Sequence, residues 1–265
     1  MIKAKKSFGQ HFLTNESIAS DIADALLLPN NCKNVLEVGP GKAFLTKYLL
    51  KKSYNLKVVE ADNDMVAYLN EHFPALRKKI IAEDFLKVDF RAQFGEEQFA
   101  LIGNFPYNIS SQIVIRMIEQ RDFVPELVGM FQKEVAERIV SKPGGKEFGV
   151  ISVLTQAFYE GEYLFTVDKS NFNPPPKVQS GVIRLVRKEN QELGCDPSLF
   201  RTVVKTSFGQ RRKMLRNTMK SMIQNETLLA SDFFNRRPET LSVEEFVWLT
   251  NQVNNRSVAI VEDFD

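Results

Sequence analysis

Val35-Leu36-Glu37-Val38-Gly39-Pro40-Gly41 is an apolar run that ends in a glycine turn, with helix-forming residues directly after it. Glycine at such a corner accepts a left-handed backbone and lets a ligand lie against the main chain. A dinucleotide fingerprint would need a third glycine at position 44. Phe44 stands there instead, and its ring would crowd the helix–strand packing that glycine permits. Glu60 closes the second apolar segment, 19 residues after Gly41, where a carboxylate can accept both hydroxyls of a ribose. Asp84 follows the third segment, where it can accept from the exocyclic amine of an adenine. Either acid alone reads as a loop residue capping a helix. The two at successive strand ends read as an adenosine site without a pyrophosphate cradle, and S-adenosylmethionine fits that description.

The fourth apolar segment ends in Asn104-Phe105-Pro106-Tyr107-Asn108. Pro106 restrains the backbone, so the Asn104 side chain and the Phe105 carbonyl can converge as acceptors while Tyr107 presents a flat face. Such a site suits an aromatic amine like N6 of adenine, whose lone pair is delocalised into the ring. Two acceptors on its hydrogens draw the nitrogen towards tetrahedral geometry. A sulfonium methyl is already a strong electrophile, so positioning and oriented dipoles suffice, and no catalytic His or Cys is required. The bland alternative is a proline turn with a packed tyrosine. In Asn171-Phe172-Asn173-Pro174-Pro175-Pro176 an aromatic sits on a stiff loop and could close the other side of a flipped base. Considered alone, Phe172 fits a core position better. Ser7-Phe8-Gly9-Gln10-His11-Phe12-Leu13 could fold over the cofactor as a lid, or His11 could be a simple capping residue. The chemistry of these residues leaves both open.

These residues need a scaffold, and the first two thirds of the chain alternate strand-like and helix-like stretches. Strands are expected over 34–38, 56–60, 79–82, 99–103 and 127–131, with helical spacing over 14–28, 43–50, 65–73, 132–140 and 150–159. Two late strands, 161–167 and 181–186, read as a hairpin pair. The pattern is that of a doubly wound α/β sheet. After Arg187 only helical periodicity remains, over 197–207, 211–223 and 243–252, punctuated by Pro197, Gly209 and Pro238. The expected domains are therefore 1–188, carrying the cofactor, and a small helical one at 189–265.

Composition narrows the class. The chain has 265 residues, 43% hydrophobic and 26% charged, which suits a folded globular protein and not a disordered one. Its apolar runs, such as 25–28, are far below the roughly 18 residues of a membrane span. The basic start Met1–Lys6 continues into polar residues instead of an apolar stretch, so a cytoplasmic location is expected. Cys32 and Cys195 lie 163 positions apart, a spacing that suggests neither a disulfide framework nor a metal site. Net charge is only +2, yet between Arg184 and Lys220 ten Lys or Arg face three acids. Arg211, Arg212, Lys213, Arg216 and Lys220 form the densest part of that patch, suited equally to RNA phosphates and to a solvated helix face.

Taken together, Phe8–Leu13, Glu37–Gly41, Asn104–Ser110, Gln132-Lys133-Glu134-Val135, Phe172–Val178 and Phe208-Gly209-Gln210-Arg211-Arg212-Lys213 closely resemble the KsgA family of ribosomal RNA adenine dimethyltransferases. The resemblance runs over almost the whole chain. It implies a class I methyltransferase, Rossmann-like, that dimethylates N6 of two adjacent adenosines in the 3′-terminal hairpin of 16S rRNA. The partner would be the small (30S) ribosomal subunit or its precursor, met by a monomer without metal or membrane. Carried over by position, it puts His11, Leu13, Gly39, Gly41, Glu60, Asp84 and Asn104 at the cofactor. It puts Asn104, Phe105, Pro106 and Tyr107 at the transfer centre, Tyr107 and Phe172 on the target base, and the Arg211–Lys220 cations on RNA. Two positions differ from the family's common residues, His11 for asparagine and Phe105 for leucine. Related erythromycin-resistance methylases share the cofactor and target motifs but act on large-subunit rRNA; the tail motif and the proline loop favour the KsgA group. Two further roles stand beside catalysis: an assembly checkpoint on immature subunits with methylation secondary, and an RNA-binding descendant without activity, against which the intact Glu60, Asp84 and Asn104 speak.

Overall fold

The structure, a computed structural model, describes residues 5, 9–29 and 32–259, with side chains described to residue 254. Ser7 and Phe8 of the expected lid lie outside the described residues. In chain order the elements are β1 (Phe12–Leu13), α1 (Glu16–Asp24), β2 (Asn34–Val38), α2 (Thr46–Leu49), β3 (Asn55–Val59), α3 (Asn63–His72), β4 (Ile80–Ile81), α4 (Phe90–Phe94), β5 (Phe99–Asn104), α5 (Ser110–Glu119), β6 (Glu126–Gln132), α6 (Lys133–Val140), α7 (Val150–Gln156), β7 (Tyr159–Val167), β8 (Phe172–Asn173), β9 (Ser180–Arg187), α8 (Pro197–Phe208), α9 (Leu215–Thr218), α10 (Glu226–Leu229) and α11 (Val243–Ala259).

Seven strands form one sheet in the order β4-β3-β2-β5-β6-β9-β7. The first five are parallel, and β9 and β7 are antiparallel additions at one edge. Strands covered on both faces must be apolar throughout. Val35, Leu36, Ala100, Leu101, Ile102, Leu127 and Val128 all have essentially no solvent exposure, each larger aliphatic side chain contributing about 1.5–3 kcal/mol by burial. β8 interrupts the expected hairpin and leaves the large sheet to pair antiparallel with β1, Leu13 opposite Phe172. The chain thus returns from residue 173 to the segment that precedes α1. That helix starts at Asn15, whose side chain accepts from the N–H groups of Ser17 and Ile18, and it buries Ala19, Ile22 and Ala23.

Four helices are shorter than the periodicity suggests: 14–28 yields only α1, 150–159 ends at Gln156 because β7 begins at Tyr159, and two more contract further. The stretch 43–50 contracts to α2 because Ala43 adopts a left-handed φ of 60° at the end of the glycine turn. The stretch 211–223 yields only α9. There Lys213 N–H closes a turn on the Gln210 carbonyl, and Met214 is extended, with ψ 154°. Leu215 and Met219 supply the apolar repeat that the sequence displays, and both are buried, but within a compact turn-rich segment.

The chain divides into two compact units: residues 1–137 with 159–187, and residues 138–158 with 188–265. The sequence pattern places 138–158 in the first domain. Its packing assigns it to the second, because α7 lies on α8 and Phe148 meets the Phe208 ring, 6.4 Å between centroids. Phe208 in turn stacks on Phe246 of α11 at 5.9 Å.

Candidate active site

The first unit contains a cavity of about 560 Å³ at the carboxyl ends of β2, β3 and β5, where open α/β sheets place their ligands. His11, Leu13, Gly39, Gly41, Glu60, Asp84, Asn104, Phe105, Pro106 and Tyr107 all line it. Sequence positions spread over nearly a hundred residues therefore meet around one space.

Gly39 and Gly41 form its floor with φ values of +68° and +52°. A Cβ on Gly41 would stand 3.0 Å from the Phe12 ring, so the turn requires glycine for its backbone angle and its closeness to β1. Above the turn, Glu60 is nearly buried, and each of its oxygens takes one backbone N–H: Gly41 donates to Oε2 at 3.2 Å, Asp62 to Oε1 at 2.9 Å. Burial pushes its carboxyl above the ordinary range, with these two N–H groups opposing the shift. Each oxygen retains a lone pair for a further donor. Asp84 uses Oδ1 to accept from the Leu86 N–H at 3.0 Å and stays half-exposed on the cavity wall. Capping and ligand reception are both open to one carboxylate with two oxygens.

Glu37 lines the same cavity at 1% exposure, and its Oε2 has no hydrogen-bond partner among the described residues. Burial, reinforced by the nearby Glu60, pushes its pKa up to about 8. The sequence motif contains this residue, but nothing in its spacing marks it as an orphaned acid.

On the cavity wall the Asn104 Nδ2 donates to the His11 carbonyl at 3.0 Å. A carbonyl can only accept, so the amide orientation is determined and Oδ1 is left as an acceptor. His11 Nδ1 lies 2.9 Å from the Pro174 carbonyl. By the same reasoning Nδ1 is the donor in this contact. The His11 and Tyr107 rings lie 5.3 Å apart, tilted by 32°. The Tyr107 hydroxyl pairs with Ser180 Oγ at 2.6 Å, and burial pushes its pKa up.

Phe105 contributes its backbone to the cavity while its ring goes the other way. The ring is 1% exposed and meets Phe131 edge-on at 5.1 Å. Room for it comes from Gly103 and Gly129, paired across β5 and β6: a Cβ on Gly129 would fall 2.1 Å from the ring. Its carbonyl accepts no hydrogen bond from the described residues.

Phe172 departs from the reading that makes it a stacking partner. It is 3% exposed, belongs to the core cluster with Leu13, Ile22 and Val182, and does not line the cavity. The pairing of β8 with β1 turns its ring inward and leaves Asn173 at the cavity edge. In the second unit Arg212, Lys213, Arg216 and Lys220 are exposed. Arg211 is half-buried, its guanidinium donating to the Lys146 carbonyl of the loop before α7.

No His, Cys, Asp or Glu group among the described residues is arranged to hold a metal ion, and no described helix is long and apolar enough to cross a membrane. Five parallel strands with an antiparallel pair at one edge form the sheet of the class I methyltransferase fold. Two solved structures share the fold: a dimethyladenosine transferase from Plasmodium falciparum (TM-score 0.76, 24% identity, 93% of this chain and 98% of that one) and the 23S rRNA methyltransferase ErmE (0.68, 23%, 92% and 99%). A family model described as ribosomal RNA adenine dimethylase matches residues 1–254. Relatives named ribosomal RNA small subunit methyltransferase A are 56% identical in Flavobacterium johnsoniae, over 95% of this chain and 96% of that protein, and 53% identical in Bacteroides fragilis, over 96% and 93%. The chain belongs to the ribosomal RNA adenine dimethylase family.

Proposed function

We propose that this protein methylates N6 of two adjacent adenosines in the 3′-terminal hairpin of 16S rRNA, dimethylating both, while the small subunit or its precursor is assembled. The observation that carries this reading is the Asn104 amide, whose Nδ2 is taken by the His11 carbonyl so that Oδ1 is left to accept, in a cavity that Phe105, Glu60 and Asp84 also line. The names of the relatives above support the substrate class.

The residues fit S-adenosylmethionine. Positive-φ glycines leave room for its methionine part, Glu60 keeps lone pairs for the ribose hydroxyls, Asp84 keeps an oxygen for the adenine amine, and the orphaned Glu37 oxygen supplies polarity deep in the cavity. When bound, the cofactor supplies an electrophilic methyl group. Before the first transfer Asn104 Oδ1 and the Phe105 carbonyl accept the two N6 hydrogens of the target, holding the nitrogen in a geometry from which its lone pair can attack; each transfer releases one N6 proton to solvent, and in the second round one acceptor holds the single hydrogen that remains. Tyr107 offers one face for stacking, and its bond to Ser180 keeps the ring from rotating away. His11 ties the segment before α1 to both Asn104 and the proline loop. Arg212, Lys213, Arg216 and Lys220 extend from the second unit as phosphate contacts; Arg211 shares that role with its bond to Lys146.

Labelled S-adenosylmethionine incubated with immature small subunits, followed by mapping of the label, tests the reading. Label on two neighbouring adenines near the 3′ end is expected, lost by at least about a hundredfold in Asn104→Ala. Binding to immature subunits that persists with no label transferred by the unaltered protein would leave the assembly checkpoint as the function, and label on the large subunit would overturn the substrate.

A further inference from the structure

Asp62 is 1% exposed and belongs to none of the motifs named above, yet among the described residues three donors converge on its carboxylate. Its Oδ1 accepts from Lys5 Nζ at 2.6 Å and from the Asp64 N–H at 3.1 Å; its Oδ2 accepts from Gln10 Nε2 at 3.1 Å. Lys5 also reaches Asp64 Oδ2 at 2.7 Å, and its own N–H donates to Gln10 Oε1 at 2.9 Å. Through its backbone N–H, Asp62 donates to Glu60 Oε1. One residue therefore joins the chain upstream of β1 to the carboxylate at the end of β3.

We propose that Asp62, held by Lys5 and Gln10, is a positioning residue that fixes the direction of the Glu60 carboxylate for ribose binding and, with Lys5, balances the charge beside it. The inference rests on the reading of Glu60 as the ribose acceptor. A carboxylate with two oxygens can swing about its last torsion; N–H donors on both oxygens, one of them anchored by Asp62, hold it in one plane. Charge sets the second requirement. Glu60 is buried next to Asp62 and faces Glu37 from β2, while Glu83 and Asp84 beyond β4 line the same cavity. Against these acids stand Lys5, on Asp62 and Asp64, and Lys42 after the glycine turn. Burial raises the Glu60 carboxyl, and the Asp62 charge adds to that rise. Asp62 resists its own burial through the hydrogen bonds of Lys5 and Gln10, which hold it below the usual range. Removing Lys5 leaves a bare negative charge against Glu60; removing the charge of Asp62 relieves it.

The two halves of one ion pair should therefore act in opposite directions, which a merely structural bridge would not do. Calorimetric binding of S-adenosylmethionine to the full-length protein, measured between about pH 5 and pH 8, reads this directly. Lys5→Ala should weaken binding about three- to tenfold near pH 6 and move the acid limb of the profile to higher pH, the effect of one partly screened charge. Asp62→Asn keeps the helix cap and the N–H to Glu60, and should move the limb to lower pH. Asp62→Ala should raise KM for the cofactor with kcat nearly unchanged. Thermal denaturation of each variant checks folding, and the direction of the limb shift is readable on any variant that remains folded. Glu60→Gln separates the two layers. If it leaves cofactor affinity unchanged, the ribose reading fails. If it weakens binding while Lys5→Ala and Asp62→Asn leave the profile in place, or shift it in the same direction, the role of Asp62 is overturned and that of Glu60 stands.

Discussion

Glu37 shows how a single residue can set a pH dependence. Its pKa is pushed up to about 8 from an ordinary value of 4.5, so between those pH values the folded protein holds a proton that the unfolded chain releases. Stability then falls as pH rises through that window, by about 1.4 kcal/mol at most for each tenfold difference in proton affinity between the two states. Glu37→Gln, similar in shape and uncharged, should melt with the unaltered protein near pH 5 and above it near pH 8, by differential scanning calorimetry of the cofactor-free protein. A parallel pair of melting curves would mean that Glu37 is ionised and partnered. Residues of this kind also explain what the sequence conceals. Glu60, Asp84 and Asn104 are legible because each stands at or just beyond the carboxyl end of an apolar strand, where open α/β sheets place their ligands. Glu37 and Asp62 are not, because desolvation and convergence of remote donors such as Lys5 and Gln10 leave no local spacing. Phe172 misleads because an aromatic on a proline loop looks alike from either side; only the β1–β8 pairing decides which way the ring points.

At the scale of elements, β5 and β6 are fitted to each other through one ring. Gly103 and Gly129 are opposite one another, and Phe105 covers both. Gly129→Ala would force a methyl into that ring and should cost about 1–3 kcal/mol, while also displacing the Phe105 carbonyl and lowering kcat. Phe105→Leu in the same chain vacates the colliding ring atoms, so the double variant should recover most of the stability measured by urea denaturation. A double variant no better than Gly129→Ala would place the strain elsewhere. The parallel strands are readable from their apolar runs, and the late antiparallel pair from its two segments. The contraction of 211–223 to α9 is not, since the single helical turn that remains already accounts for the spacing of Leu215 and Met219, both buried on it. The cations around α9 carry a separate expectation. Replacing Arg211, Arg212 and Lys213 together should weaken small-subunit binding and reduce its salt slope by roughly two to three units, with cofactor affinity intact. An unchanged slope would make the cluster a solvated face.

For the whole molecule, the division into units decides which fragments can fold. The cavity is built entirely from residues 9–173 of the first unit, but residues 138–158 belong to the second, with Phe148, Val153 and Leu154 buried there. A fragment ending at residue 188 should bind an apolar dye and aggregate, although it holds every cavity residue. The same fragment extended through α11 should do neither. Equal solubility of the two would show that 138–158 packs without α8.

The same interleaving bears on how the protein is made. Residues 138–158 leave the ribosome well before α8 exists to receive them, so for that interval the nascent chain displays an uncovered apolar helix. A copy abandoned before Phe208 would keep that helix uncovered permanently. Chaperones and proteases recognise such a segment, and the fold thereby marks incomplete copies for removal.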